Sequence, residues 1–144
     1  MSLFTAISIS ASGMEAQRQR AEVVTENLAN ADTTRTPEGG PYKRKDAVFT
    51  TAPGSGSFAD AMSMASGLNQ GVAVSDITID QSEPERRYLP GHPDADAQGY
   101  VAFPHVNPAE EMVDLLGASR GYQANVAAIS AVKDMIARSI DLFR

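Results

Sequence analysis

Residues 107–143, NPAEEMVDLLGASRGYQANVAAISAVKDMIARSIDLF, decide the fold. Asn107 suits a helix N-cap, Pro108 suits the first helical position, and Glu110 stands where a capping-box side chain reaches back. From there a seam runs Met112, Leu115, Ser119, Tyr122, Val126, Ile129, Lys133, Ile136, Ile140, Phe143. Its steps alternate between three and four residues, the period of a helix that lies along another helix. Val113, Leu116, Val132 and Met135 widen the stripe beyond a two-stranded seam. Gly117 and Gly121 weaken the helix by up to about 1 kcal/mol each, but they let a neighbour come close. The pattern predicts a helix over 108–143, roughly 50 Å long.

Such a helix needs a partner, and the prolines say where one can form. All eight lie between Pro37 and Pro108, so the N-terminal segment is free to be a second long helix. There Ile7, Met14, Ala21 and Leu28 recur every seven residues, with Ser10, Gln17, Val24 and Ala31 between them. These seam residues are smaller and partly polar, so this helix, spanning 3–30 and roughly 40 Å, is the weaker of the two alone. Its exit is ENLANADTT, residues 26–34. Leu28 is the last strong seam residue, and Asn30 suits a helix C-terminus. Asn27 can bond the freed carbonyls or the departing chain, while Asp32 to Thr34 suit local side-chain turns.

The middle reads as extended and irregular. YKRKDAVFTT (42–51) follows a Gly39-Gly40-Pro41 turn and predicts a strand. GVAVSDITID (71–80) alternates apolar residues but slips phase at Ser75-Asp76, the mark of a bulge. RRYL (86–89) and GYVAF (99–103) are short strands flanking PGHPDADAQG. Residues 52–70 are small and polar and predict a flexible loop, with helical character at 58–66. This middle has too few large apolar residues for a substantial core. The domain plan is thus an N-terminal helix (1–31), a β middle (32–106) and a C-terminal helix (107–144). The fold class is mainly α with a small β element, its end helices pairing antiparallel as a coiled coil.

Composition narrows the function. A net charge of −6 over 144 residues argues against nucleic acid, which calls for a clustered basic face. The Lys43-Arg44-Lys45 run reads as a solvated strand face. No cysteine is present, so disulfides, thiol nucleophiles and thiolate metal sites are excluded. The start lacks a positive segment followed by an apolar run, so no secretory signal is expected, and no stretch is apolar enough to span a membrane. No phosphate loop, nucleophile elbow or H-E-x-x-H motif occurs. Glu110, Glu111 and Asp114 read as acidic residues favoured by the helix N-terminus rather than as an acid/base pair. The chain is therefore expected to be no enzyme, with no cofactor and no small-molecule substrate. His92, Asp94 and Asp96 are the one group with metal-ligand chemistry. Pro93, Gly91 and Gly99 around them suit a tight turn instead, and His105 reads as a packing or surface residue.

The C-terminal stripe is wider than one helix can cover, and burial is worth roughly 25 cal/mol per Å² of apolar surface. Uncovered, it marks an interaction site. Ile7, Met14, Ala21, Val24, Leu28, Met112, Leu115, Tyr122, Val126, Ile129, Ile136 and Ile140 are the candidate assembly residues. Tyr122 beside Gly121 reads as a contact across subunits.

VVTENLANADTTRT (23–36) resembles the N-terminal signature of the bacterial flagellar axial proteins, the rod, hook and hook-associated family. Asn27, Leu28, Ala29, Asn30, Asp32 and Thr33 carry that signature. GGPYKRKDAVF, PGHPDADAQGYVAFPHVNPAEEMVDLL and ASRGYQANV follow in the order seen in a short proximal-rod member. The resemblance implies a structural subunit whose end helices form a coiled coil packed with its own copies and other rod subunits, transmitting torque. It also implies export through the flagellar type III apparatus without a cleaved signal, and assembly in the periplasm at the basal body.

Overall fold

A computed structural model describes residues 3–52 and 71–141. Among them the chain runs α1 (Leu3–Ala29), β1 (Lys45–Thr51), β2 (Val72–Ile79), β3 (Glu85–Tyr88), β4 (Tyr100–Phe103) and α2 (Pro108–Asp141). The fold is mainly α with small β elements. The expected loop at 52–70, with its helical stretch, and Phe143 at the end of the seam lie outside the described residues, save Ala52.

The start of α2 and the end of α1 are set by their caps. Asn107 Oδ1 accepts the Ala109 N–H at 3.1 Å, satisfying one free donor of the first turn of α2. Glu110 does reach back, but to the Asn107 side-chain amide at 3.1 Å, where a capping box uses the backbone N–H. At the far end of α1, Asn30 donates from its backbone to the Glu26 carbonyl at 3.1 Å and from its side chain to the same oxygen at 2.9 Å. Its carbonyl then accepts the Thr33 N–H, and its Oδ1 the Thr33 hydroxyl. Asn30 closes the helix, and the chain turns away.

The two helices run against each other in opposite directions. A Cβ on Gly13 would meet Asn125 at 2.9 Å, and one on Gly121 would meet Gln17 at 3.0 Å. Arg20 pairs with Asp114, and Asn27 with Glu111, further along the same sequence of contacts. Gly121 therefore sits at a close approach: a side chain there makes Gln17 give way by a few tenths of an ångström.

β1 and β2 form an antiparallel pair, with Val48 opposite Asp76 and Phe49 opposite Val74. Ser75 is left over as the bulge residue, where the sequence slips phase. One end of the pair ties to α1 at Ser12, whose Oγ accepts the Val72 N–H at 3.0 Å. The other end ties at Asn27, described below. Between them on the same stripe of α1, Ala16 and Val23 are buried. β3 and β4 form a separate antiparallel hairpin, Glu85 opposite Phe103 and Tyr88 opposite Tyr100. Gly99 precedes β4 with φ +84°, and a Cβ there would strike the Tyr88 ring at 2.9 Å, so only glycine fits.

Candidate assembly interface

The contact between α1 and α2 is not the apolar seam that the three-four spacing predicts. Glu111, Ala118 and Val132 are buried, with Leu115, Asn125, Ile129 and Ile136 half-buried beside them. Met112, Tyr122, Val126 and Ile140 are exposed, as are Val113, Leu116 and Met135. The helix is rotated by about one residue from the expected seam. Gly13, Gln17, Gly121 and Asn125 allow a close approach of small and polar surfaces that the larger seam residues would hold apart. Gln17 Oε1 is even buried without a hydrogen-bond partner, a cost of about 1–3 kcal/mol. The consequence is a set of large apolar side chains on α2, from Met112 to Ile140, that the chain leaves substantially exposed.

On α1, Val24 is buried and Ile7, Met14, Ala21 and Leu28 are half-buried. Of the exit residues, Ala29 and Asp32 are exposed and Thr33 is half-buried. Asn27 has the largest role. It is 0% exposed, and it bonds the departing chain rather than the helix carbonyls. Its Nδ2 donates to the Lys45 carbonyl at 2.8 Å and to Glu111 Oε2 at 3.0 Å. Its Oδ1 accepts the Lys45 N–H at 2.9 Å and the Tyr42 hydroxyl at 3.0 Å. The amide is thereby fully satisfied, and it joins α1, the start of β1 and the first turn of α2.

Glu111 completes the junction. It is 1% exposed and accepts a 2.6 Å hydrogen bond from Arg44 Nε. That bond is the main reason the Arg44 guanidinium holds its proton above the usual range. Asp114 lies 3.6 Å from Arg44 and 3.0 Å from Arg20, extending the chain of charges to α1. The sequence reading placed Glu111 among the acids favoured by the helix N-terminus, and Arg44 on a solvated strand face. The structure corrects the second and adds to the first: Arg44 is half-buried, and its guanidinium pairs with the buried Glu111 carboxylate.

Burial pushes the Tyr42 hydroxyl up to about 12, with the negative charges of Glu26 and Glu111 adding to it. The folded chain keeps this proton to higher pH than the unfolded chain, whose tyrosine titrates near 10. Stability from Tyr42 is therefore full below about pH 10 and is lost as pH rises toward about 12. Tyr42→Phe should cost about 1 kcal/mol at neutral pH and flatten that alkaline decline; urea melts across this pH range test it.

The His92, Asp94 and Asp96 group is occupied by the turn it builds. His92 Nδ1 accepts the Asp94 N–H at 3.1 Å. Asp96 accepts the N–H groups of Gln98 and Tyr100, each at 2.9 Å, and the Tyr100 bond chiefly holds its carboxyl below the usual range. Asp94 instead accepts the Thr34 hydroxyl at 2.8 Å and lies 3.6 Å from Arg35, tying this turn to the exit of α1. Among the described residues no group of three or more His, Cys, Asp or Glu is placed to hold a metal. His105 is exposed, 3.8 Å from Asp80. It helps line a cleft of 560 Å³ whose arginines, Arg44 and Arg87, are paired with Glu111 and Glu85.

The family described as Flagella basal body rod protein matches residues 7–35, the greater part of α1 and its exit. The family described as Flagellar basal body rod FlgEFG protein C-terminal matches residues 97–142, from the β3–β4 turn through α2. The flagellar basal-body rod protein FlgC of Bacillus subtilis is 42% identical over 148 residues, covering 99% of each chain. The chain belongs to the FlgC family. The FlgC protein of Borreliella burgdorferi is 39% identical over 152 residues, covering 100% of this chain and 99% of its own. That of Escherichia coli O157:H7 is 41% identical over 144 residues, covering 99% and 98%. In this FlgC-family chain, both matched ends are the helices that Asn27 and Glu111 lock together. No helix among the described residues is long and apolar enough to cross a membrane.

Proposed function

We propose that the chain is a structural, non-catalytic subunit of the proximal part of the flagellar basal-body rod, built into the axial shaft by helix packing and transmitting torque through it. One observation carries this reading: α2 exposes Met112, Val113, Leu116, Tyr122 and Val126 along its flank. Large apolar side chains exposed in this number on a helix of a chain with net charge −6 are the surface of a part meant to be covered. In the assembled rod α1 and α2 act as an antiparallel coiled-coil pair, residues 1–31 and 107–144, and residues 32–106 form the arm between them. Ile7, Met14, Ala21, Val24, Leu28, Leu115, Ile129 and Ile136 hold the pair together at its edges. Met112, Tyr122, Val126 and Ile140 meet neighbouring copies and other rod subunits. Asn27 to Thr33 fix the angle at which the arm leaves the pair.

The reading extends to delivery. The subunit travels through the flagellar type III export apparatus without a cleaved signal and assembles in the periplasm. Family membership supports this, together with a helix pair soft enough to thread as an open chain: its seam is small and polar and carries the unpartnered Gln17 Oε1.

Val126→Asp places a charge on the exposed flank, where the single chain tolerates it. Swimming should be lost while the protein is still made and folded, as read by motility in soft agar and by immunoblot. Ile129→Asp, half-buried between the helices, should lose both swimming and stability. A strain that swims normally with Val126→Asp contradicts the reading.

A further inference from the structure

We propose that Glu111 and Asp114 are a register clamp within the chain. They fix which of two alignments, one seven-residue repeat apart, α2 adopts along α1, a choice that the packed stripe itself does not make.

The stripe that α2 presents to α1 repeats. Glu111, Ala118, Asn125 and Val132 recur every seven residues, Asn125 half-buried and the other three buried. On α1, Gly13 lies opposite Asn125, Gln17 opposite Gly121 and Asn27 opposite Glu111. A slide of α1 by one repeat toward the C-terminal end of α2 would set Gly13 against Val132. Gln17 would then meet Ala128, and Val24 would meet Gly121. Small residues would still face small or medium ones. α2 has 34 residues against 27 in α1, so the slid helix keeps almost its whole length covered. Nor does packing favour the observed alignment, which leaves Gln17 Oε1 buried without a hydrogen-bond partner.

The polar contacts do choose. Among the described residues, every side-chain hydrogen bond or ion pair that reaches α2 from α1 or the start of β1 ends within one turn. Asn27 Nδ2 and Arg44 Nε reach Glu111 at 3.0 and 2.6 Å. Arg20 and Arg44 reach Asp114 at 3.0 and 3.6 Å. Asn27 also holds Tyr42 and Lys45, and Ser12 holds Val72, so α1, β1 and β2 move as one body. Two acids tie that body to α2. One repeat further along, Ala118 and Gly121 stand in their places and offer no side-chain acceptor. A slide of about 10 Å would therefore strip all four contacts. Residues 104–107, in neither helix nor strand, join β4 to α2 and give it room to move. One buried polar position in a repeating helical seam is the known means of fixing register, at a cost in stability. Glu111 is that position here.

The chain has no cysteine, so paired cysteines read the alignment in the purified subunit. Gln17→Cys with Gly121→Cys reports the observed alignment, and Gln17→Cys with Ala128→Cys the slid one, each as a disulfide within one chain. With both acids present, only the first pair should link. Glu111→Ala, Asp114→Ala and Arg44→Met together remove the clamp without stranding a buried charge. The second pair should then link with a yield comparable to the first. A change that merely loosened the fold would lower the first link without raising the second. The decisive variant moves the acid: Glu111→Ala, Asp114→Ala and Ala118→Glu, with Arg44 kept. A slide by one repeat brings Asn27 and Arg44 to the new carboxylate. Helical circular dichroism should be retained, and most chains should link through the second pair. Linkage of the first pair alone in either variant overturns the proposal. So does a relocated variant that links neither pair or loses its helical signal. Should the unclamped variant unfold, the relocated one decides alone.

Discussion

Asn27→Asp should cost the folded chain about 3–5 kcal/mol, enough to unfold many domains outright. The change is nearly isosteric, so the loss comes from charge and not from space. An aspartate presents two acceptors where Asn27 presents one. The Lys45 carbonyl at 2.8 Å and the Glu111 carboxylate at 3.0 Å then face an oxygen that donates nothing. A second carboxylate is also forced beside Glu111, which has no water to screen it. Asn30→Ala, three residues on, is the natural comparison. It removes one cap to the Glu26 carbonyl at the surface and should cost about 1 kcal/mol. Urea denaturation of the purified chains separates the two. Equal losses would mean that the junction is no more than a helix end.

Arg44→Met should be nearly as severe, at about 3–5 kcal/mol. It leaves Glu111 buried with its Oε1 unpartnered, a charge that only Asn27 still touches. The attraction of an ion pair and the penalty for leaving one ion alone are distinct quantities, and the second is the larger here. The distinction is measurable. Glu111→Gln on top of Arg44→Met removes the stranded charge and keeps an oxygen for the Asn27 amide. The double variant should recover at least about half of the loss, giving a coupling energy of 1.5 kcal/mol or more on the order-of-magnitude scale seen for contacting pairs. Simple additivity of the two single changes would show that Arg44 and Glu111 do not depend on each other.

These two residues also show where the sequence stops being readable. Local signals were legible. The proline distribution placed both helices, Asn107-Pro108 opened α2, Asn30 closed α1, and the slip at Ser75 appeared as a bulge. The β3–β4 hairpin and its turn were likewise legible, because the pairing joins residues 12 to 18 positions apart. Glu111 and Arg44 are 67 positions apart, and nothing local distinguishes a glutamate that faces water from one that faces an arginine across the fold. Asn27 was legible as a residue that bonds either the freed carbonyls or the departing chain, but not as the centre of four hydrogen bonds. The seam of α2 was misplaced for a related reason. Spacing of large apolar residues was taken to mark the partner helix, whereas Gly121, Ala118 and Asn125 mark it by their smallness. Leu115, Ile129 and Ile136 stay at the contact, while Met112, Tyr122, Val126 and Ile140 turn outward, and what those four meet is not written in one chain.

The account rests on that outward flank, and labelling tests it directly. Val126→Cys is the sole thiol in an otherwise cysteine-free chain, at an exposed position on α2. Its reaction with a maleimide can be followed in the purified subunit and in intact basal bodies. The account predicts rapid labelling of the free subunit and strong protection once it is assembled. Equal, rapid labelling in both would leave the apolar flank facing water in the finished rod and would contradict the account.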